Sequence, residues 1–303
     1  MTLLISGWVA LDDLETPFER VERVLGGPAS YAALAASLFT GVRVLAGVGD
    51  DFPAAFRDRL DRPNVDLAGL TTHPGETSRW GARYGYDMNS RETLFTVVGV
   101  NETWAPALPP GWEDSTTVFL AAAHPVVQRE IIASLPIARA SLVDTILFYI
   151  ESALADVRKT MSIATFATVN ESEARMISGV ASITRASRKL IADGAQRLIV
   201  KLGEYGAAYT SGSDYFIVPG FPLEEIADPT GAGDTFGGAF MAYLDTAPDL
   251  SDAEIRKAMV YGSAVASYCV EGIGTSRLET LTRAEVEDRY RAFRRLTHFE
   301  VPD

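Results

Sequence analysis

The chain has 303 residues, of which 47% are apolar, and a formal net charge of −13. That length and apolar fraction suit one large α/β domain with a sizeable core. The negative charge argues against nucleic acid and anionic membrane surfaces as partners, because no basic patch would release counterions.

A single cysteine, Cys269, excludes an internal disulfide framework and points to a reducing, cytoplasmic setting. It lies in an apolar helical run and reads as a buried structural thiol. The opening Met1–Leu11 is apolar but lacks a basic segment, so it reads as a first core strand, not a signal peptide. No uncharged run approaches the roughly 18 residues of a membrane span.

Strand-like runs fall at Thr2–Ser6, Val42–Ala46, Thr117–Ala121, Ser141–Val143, Ile163–Thr168, Arg197–Lys201 and Ala207–Thr210. Helical patterns separate them at Ala29–Phe39, Pro53–Leu60, Val126–Ser134, Ser172–Ile177 and Ala186–Ala192. This alternation predicts a mostly parallel sheet covered on both faces. After Asp228 the pattern turns helical, over Thr235–Leu244, Asp252–Val270 and Arg283–Leu296.

Residues Thr77–Val100 break the rhythm: polar and bulky residues alternate around a turn at Asp87–Arg91. The pattern predicts an antiparallel hairpin whose apolar face needs a ligand or a second subunit as cover.

Several segments carry chemistry. Asp12 and Asp13 follow the first strand, and a carboxylate with two acceptor oxygens suits a vicinal diol. Spacing from Gly7 favours Asp12, with Asp13 as the alternative. Gly26-Gly27 opens a helix of small residues that includes Tyr31. Asn170 and Glu173 have the spacing of a helix capping box and the hard oxygens Mg²⁺ prefers.

Lys201 ends an apolar run and precedes Gly203 and Gly206. The densest signal is Asp228–Phe240, DPTGAGDTFGGAF. Gly231, Ala232 and Gly233 stand where a helix begins, and the unpaired N–H groups of such a start bind anions. Asp234 in that turn would repel a phosphate unless it has its own task, and a general base facing a hydroxyl is the economical one.

These segments together resemble the PfkB (ribokinase-like) carbohydrate kinases. Asp228–Phe240 is similar to the family's C-terminal signature and Leu25–Ala35 (LGGPASYAALA) to its first. Gly47–Phe52, Asn170–Glu173 and Val200–Ala207 match further family segments in the family's order.

The resemblance implies a three-layer α/β sandwich spanning 1–303 as one domain. A small β-lid would be formed mainly by 77–100, with 11–25 as a candidate contribution, and would often pair with a second subunit's lid. It implies phosphoryl transfer from ATP to a hydroxyl of a small sugar, with nucleosides as the alternative acceptor.

By the same resemblance, Asp234 is the base and Gly231, Ala232 and Gly233 form the anion hole. Asp12, Gly26, Gly27 and Tyr31 hold the substrate. The nucleotide would meet Asn170, Lys201, Gly203, Gly206, Thr230, Gly231 and Gly233, with adenine near helix residues Tyr261–Val265. Glu173 would hold Mg²⁺ through water, and Asp228 is a candidate K⁺ ligand. Tyr31 stands where family members often carry Asn.

Other classes are less well supported. No lysine follows a glycine, so there is no Walker loop, and Gly231-x-Gly233-x-x-x-Gly237 misses the dinucleotide spacing by one residue. The three histidines are too widely spaced for a metal site or a hydrolase triad. A non-catalytic sugar-binding protein would dispense with Asp234.

Overall fold

The computed structural model describes residues 2–136, 139–212 and 214–300. Along the chain come β1 (Thr2–Ser6), β2 (Ala10–Glu15), β3 (Arg20–Gly26), α1 (Pro28–Ala36), β4 (Gly41–Gly49), α2 (Ala54–Leu60), β5 (Val65–Asp66) and β6 (Leu70–His73). Then follow β7 (Arg79–Tyr84), β8 (Arg91–Val97), β9 (Thr117–Leu120), α3 (Pro125–Ser134), β10 (Ala140–Val143), α4 (Leu147–Ile163) and β11 (Phe166–Asn170). After these come α5 (Glu171–Ser178), α6 (Ile183–Ala192), β12 (Leu198–Lys201), β13 (Ala207–Thr210) and β14 (Tyr215–Val218). The last helices are α7 (Ala232–Thr246), α8 (Asp252–Cys269), α9 (Ser276–Thr280) and α10 (Arg283–Thr297).

Among the described residues, the large sheet has the order β14-β13-β12-β11-β10-β9-β1-β4-β5, with β6 also on β4. Pairing is parallel from β12 to β5, while the β12–β13 and β13–β14 pairs are antiparallel, so that β13 is the reversed strand. Alternate residues of each strand enter opposite cores. Leu3 and Ile5 join one cluster and Leu4 the other, and Phe119 is likewise separated from Val118 and Leu120.

Helices α1, α7, α8 and α10 fill the first core, and α3, α4, α5 and α6 fill the second. Three layers result. Helix α7 is buried from Thr235 to Ala242. A Cβ on Gly237 would stand 2.5 Å from the Phe119 ring, and one on Gly238 would stand 2.4 Å from the Ala32 carbonyl oxygen. Only the paired glycines let α7 sit so close to both sheet and α1.

A second sheet has the order β3-β2-β7-β8. The expected hairpin is β7–β8, antiparallel with a register shift between Gly81 and Ala82. Strand β2 joins it in parallel to β7.

The sequence expectation fails in one stretch. Ile163 ends helix α4 instead of opening a strand, and β11 starts at Phe166. The β-branched residues around Ile163 favour a strand locally, but α4 packs Val157 and Met161 into the second core, and packing overrides that bias. A kink at Ala153 (φ −144°, ψ 38°) also blurs the helical period of α4.

Candidate active site

Because β1, β9, β10, β11 and β12 run parallel, their carboxyl ends share one edge, where open α/β sheets place their ligands. Asp144 follows β10, Asn170 ends β11 and Lys201 ends β12. Helix α7 brings its N-terminus to the same edge. Its N-cap, Gly231, adopts a left-handed conformation (φ 74°). A Cβ there would fall 2.2 Å from the Tyr31 ring, so both backbone and packing demand glycine.

The loop before α7 is fixed from beneath. Asp228 is fully buried; its two carboxylate oxygens accept the N–H groups of Thr230 and Gly274, each at 2.9 Å. Ala232 N–H turns back to the Pro229 carbonyl at 3.3 Å, so of the expected anion-hole donors it is the one already engaged. The N–H groups of Gly233 and Asp234 find no backbone acceptor outside the helix.

Asp234 is half-buried. Burial and the nearby Asp144 carboxylate raise its pKa to about 7, against the pull of Lys201 and Arg91.

Strand alternation separates the two candidate acids after β1. Asp12 is buried and accepts the Gly27 N–H at 3.3 Å. A Cβ on Gly26 would lie 1.9 Å from its carboxylate, so the glycine makes room for that side chain. Asp13 points the other way and pairs with Arg79 at 2.8 Å. Burial lifts the Asp12 pKa to about 8, helped by Asp228, Asp234 and Asp13.

Lys201 Nζ bonds Asp144 at 2.5 Å. Burial works against its charge, but Asp144, Glu173 and Asp234 outweigh that and hold its pKa above the usual value. Asn170 and Glu173 form the full capping box: Asn170 Oδ1 accepts the Glu173 N–H at 2.9 Å, and Glu173 Oε2 accepts the Asn170 N–H at 2.8 Å. Burial is the main cause that raises the Glu173 pKa to about 7, with Asp144 adding and Lys201 opposing.

A helix start with two N–H groups that have no backbone acceptor outside the helix, beside a carboxylate of near-neutral pKa, is thus brought to the strand edge that carries Asp144, Asn170 and Lys201. A model of the "pfkB family carbohydrate kinase" matches residues 9–281. The chain belongs to this family. A cytidine kinase of Thermococcus kodakarensis is 29% identical over 249 residues, covering 80% of this chain and 88% of that protein. A deoxyribokinase of Salmonella typhi is 29% identical over 264 residues, 82% of each. A provisionally assigned ribokinase II of E. coli, solved with ATP and Mg²⁺, superposes with a TM-score of 0.76 at 20% identity, covering 96% of this chain and 99% of that one.

The chain is therefore a phosphotransferase with an alcohol acceptor, a sugar or nucleoside kinase of the PfkB type. Other expected positions have the following surroundings. Tyr31 is buried with its hydroxyl unpartnered, and its ring lies beneath Gly231. Tyr261 stacks between Tyr243 and Tyr290 at 4.9 and 4.2 Å. Ser263, two residues on, reaches toward the Gly203–Gly206 turn by donating to the Pro219 carbonyl at 2.9 Å. Burial lifts the Cys269 thiol to about 12, in keeping with an inert thiol.

Among the described residues, no three His, Cys, Asp or Glu side chains are arranged to hold a metal. Among the described residues, no helix is long and apolar enough to cross a membrane.

Four site residues have roles that the sequence reading did not assign. Asp144 ends a buried strand just as Asp12 follows one, and that same signal could have found it. Tyr84 donates to or accepts from Thr230 Oγ1 at 2.9 Å. Asn89 Nδ2 donates to Glu204 Oε1 at 2.6 Å, tying the β7–β8 turn to the Gly203–Gly206 turn. Arg91 lies close enough to act on Asp234 and Glu173. These contacts cross between the two sheets, and no local pattern encodes them.

Proposed function

We propose that this kinase transfers the γ-phosphoryl group of ATP to a hydroxyl, a primary one, of a small sugar. The observation that carries the reading is the Asp234 carboxylate at an α7 start whose Gly233 and Asp234 N–H groups have no backbone acceptor outside the helix. Asp12 accepts hydroxyl donors of the sugar and is the acceptor anchor, with the Gly26-Gly27 turn at its side.

The acceptor oxygen forms its bond to phosphorus as the bond from phosphorus to the ADP bridging oxygen breaks. The acceptor proton goes to Asp234, and the electron pair leaves with ADP. The N–H groups of Gly233 and Asp234 stabilise the charge on the group in transfer, and Lys201, with Asp144 fixing it, adds a cation below them. Asn170 and the Gly203–Gly206 turn face the nucleotide.

Glu173 would hold Mg²⁺ through water, supplying charge neutralisation for the phosphates. In support, the E. coli protein that shares this fold carries both ATP and Mg²⁺. Asp228 anchors the loop through two backbone N–H groups, and the lone pairs left on its oxygens keep it the candidate K⁺ ligand.

The β3-β2-β7-β8 sheet acts as a lid over the acceptor, and its outer face meets a second copy of the chain. A nucleoside acceptor is the second reading, favoured by the cytidine kinase relative that matches 80% of this chain. A panel of ribose, 2-deoxyribose, cytidine and inosine, followed by ATP-dependent ADP release, tests both. ADP release with one class only selects the reading, and none with any of them contradicts the assignment of a pentose-bearing acceptor.

A further inference from the structure

The Gly47–Phe52 segment takes no part in the chemistry above. Its Asp51 stands just past the end of β4, beside the segment that leads from β6 in the large sheet to β7 in the small one. Asp51 Oδ1 accepts the Thr77 N–H at 2.7 Å and the Thr77 hydroxyl at 2.6 Å. Thr77 Oγ1 in turn accepts the Gly49 N–H at 3.0 Å. Thr77 is fully buried and lies two residues before β7 begins. The loop after β4 thus grips the entry to the small sheet.

The other oxygen of Asp51 reaches a second strand. Asp51 Oδ2 accepts the Arg23 guanidinium at 3.1 Å. Arg23 lies in β3 with a φ of 51°, and among the described residues Met88 alone shares a positive φ with it outside glycine. A side chain in that region is strained and persists only where its surroundings over-determine it. The surroundings of Arg23 do so: its N–H donates to Asp13 Oδ1 at 2.8 Å, and Asp13 Oδ2 accepts the Arg79 guanidinium at 2.8 Å. Arg79 is two residues after Thr77, so these contacts close into a ring that runs Asp51, Thr77, Arg79, Asp13, Arg23 and back to Asp51. The ring joins the large sheet to β2, β3 and β7.

This ring bears on Asp12. The β2–β3 register shifts between Asp12 and Leu14, where Glu22 and Arg23 together stand against the single Asp13. A bulge of this kind re-aims the side chains beside it. Its neighbour here is Asp12, whose carboxylate accepts the Gly27 N–H. Without the bulge the pairing slips by one residue, and a slip turns side chains to the other face. Burial alone would raise the Asp51 pKa, but the bonds from Thr77 and Arg23 outweigh it and hold it below the usual value. The ring therefore stays charged while Asp12 titrates.

Resting on the reading of Asp12 as the acceptor anchor, we propose that Asp51 is a positioning residue for acceptor binding: it clamps the small sheet to the large one through Thr77 and Arg23, and so holds Asp12 at the Gly27 turn. The two arms of the clamp are unequal. Thr77 is buried, and both of its bonds to the carboxylate are charge-assisted. The Arg23 side chain is 46% exposed, where an ion pair contributes little. Thr77 carries most of the clamp.

The test compares Asp51→Ala, Asp51→Asn, Thr77→Val and Arg23→Gly with the control Arg20→Ala, which breaks an exposed pair at the far end of β3. Turnover is measured with cytidine or 2-deoxyribose, whichever the unmodified protein phosphorylates. Asp51→Ala should raise the acceptor KM about 10- to 100-fold, the scale of a lost hydrogen bond to a charged group, with kcat and the MgATP KM within about threefold. Thr77→Val keeps the backbone bond and should fall at the lower end of that range. Asp51→Asn keeps an acceptor for Thr77 and should recover part of the loss. Arg23→Gly relieves the strained φ but removes the guanidinium, and should cost only about two- to fivefold. Arg20→Ala should stay near the unmodified values.

Amide hydrogen exchange gives a readout that needs no turnover. In Asp51→Ala, β2 and β3 should exchange about tenfold faster or more than in the unmodified protein, with β1 and β4 unchanged. If Asp51→Ala keeps the acceptor KM within threefold, or loses kcat at unchanged KM, or leaves exchange in β2 and β3 as slow as before, the proposal is overturned. Exchange that accelerates evenly in both sheets overturns it as well, since that is a loss of general stability. If the unmodified protein phosphorylates neither acceptor, it is the acceptor reading that fails, and exchange in β2 and β3 alone decides the clamp.

Discussion

Asp12 and Asp234 show how burial converts ordinary carboxylates into a binding group and a base. Both are raised, to about 8 and about 7, by desolvation first and then by neighbouring carboxylates, Asp228, Asp234 and Asp13 for Asp12 and Asp144 for Asp234. Ionised carboxylates are the stronger acceptors for hydroxyl donors and only an ionised Asp234 can take up a proton, so binding and proton removal both gain from deprotonation. The kcat/KM for the acceptor should therefore rise as pH increases from 6 to about 8.5, and Asp12→Asn should remove the upper part of that rise.

The same shift has a cost in stability. Asp12 in the folded chain holds its proton more tightly than an unfolded aspartate, whose pKa is about 3.9. Stability is then lost as pH rises from about 4 to about 8. Asp12→Asn should melt at a higher temperature than the unmodified protein above pH 8 while binding the acceptor more weakly. An equal or lower midpoint there would mean that Asp12 is satisfied by a partner other than the Gly27 N–H.

Glu173 makes a sharper separation possible. Glu173→Gln keeps an acceptor oxygen for the Asn170 N–H, so the capping box of α5 should survive. The variant should need more Mg²⁺ for half-maximal rate, with acceptor KM nearly unchanged. An unchanged Mg²⁺ titration would leave Glu173 as a cap alone.

At the scale of elements, the small sheet and the loop before α7 are joined by Tyr84 and Thr230. Tyr84→Phe deletes one buried hydrogen bond, worth about 1 kcal/mol, so turnover should fall roughly fivefold with the thermal midpoint little changed. Loss of the fold would show that Tyr84, which packs with Ala82 and Met88, supports the sheet and not its closure.

The elements also explain what could be read from sequence. Asp228–Phe240 is one continuous run, so its glycine turn, acid and helix are all local and legible. The preference for Asp12 over Asp13 follows from strand alternation, which places one on the Gly27 turn and the other on Arg79. Helix α4 was not legible, because Ile163 and the residues around it favour a strand and Ala153 breaks the period. The reach of Tyr31 under Gly231 depends on how α1 packs against α7, and that of Tyr84 to Thr230 on how β7 meets the loop before α7. Such contacts lie between elements far apart in the chain, and one sequence does not carry them.

For the whole molecule, the two faces of the small sheet differ. Tyr84 is buried toward the loop, while Leu94 in β8 and Phe18 and Tyr86 in the two hairpin turns are 41%, 68% and 85% exposed. Phe18 and Tyr86 stand 6.3 Å apart, centroid to centroid. An exposed apolar sheet face of this kind calls for cover, and the proposed dimer supplies it. Light scattering at micromolar concentration should give a dimer, and Tyr86→Asp with Leu94→Asp should give monomers. A monomeric unmodified protein would remove the dimer and leave the lid role standing.

The central claim is that the chain moves a phosphoryl group with Asp234 as its base, and one comparison reaches it directly. Asp234→Asn keeps the size of the side chain and the helix start, so MgATP should bind within a few-fold of the unmodified affinity. Turnover of the phosphorylated acceptor should fall by about 10²- to 10⁴-fold, the usual contribution of positioned proton transfer. A variant that retains most of its kcat would contradict the account.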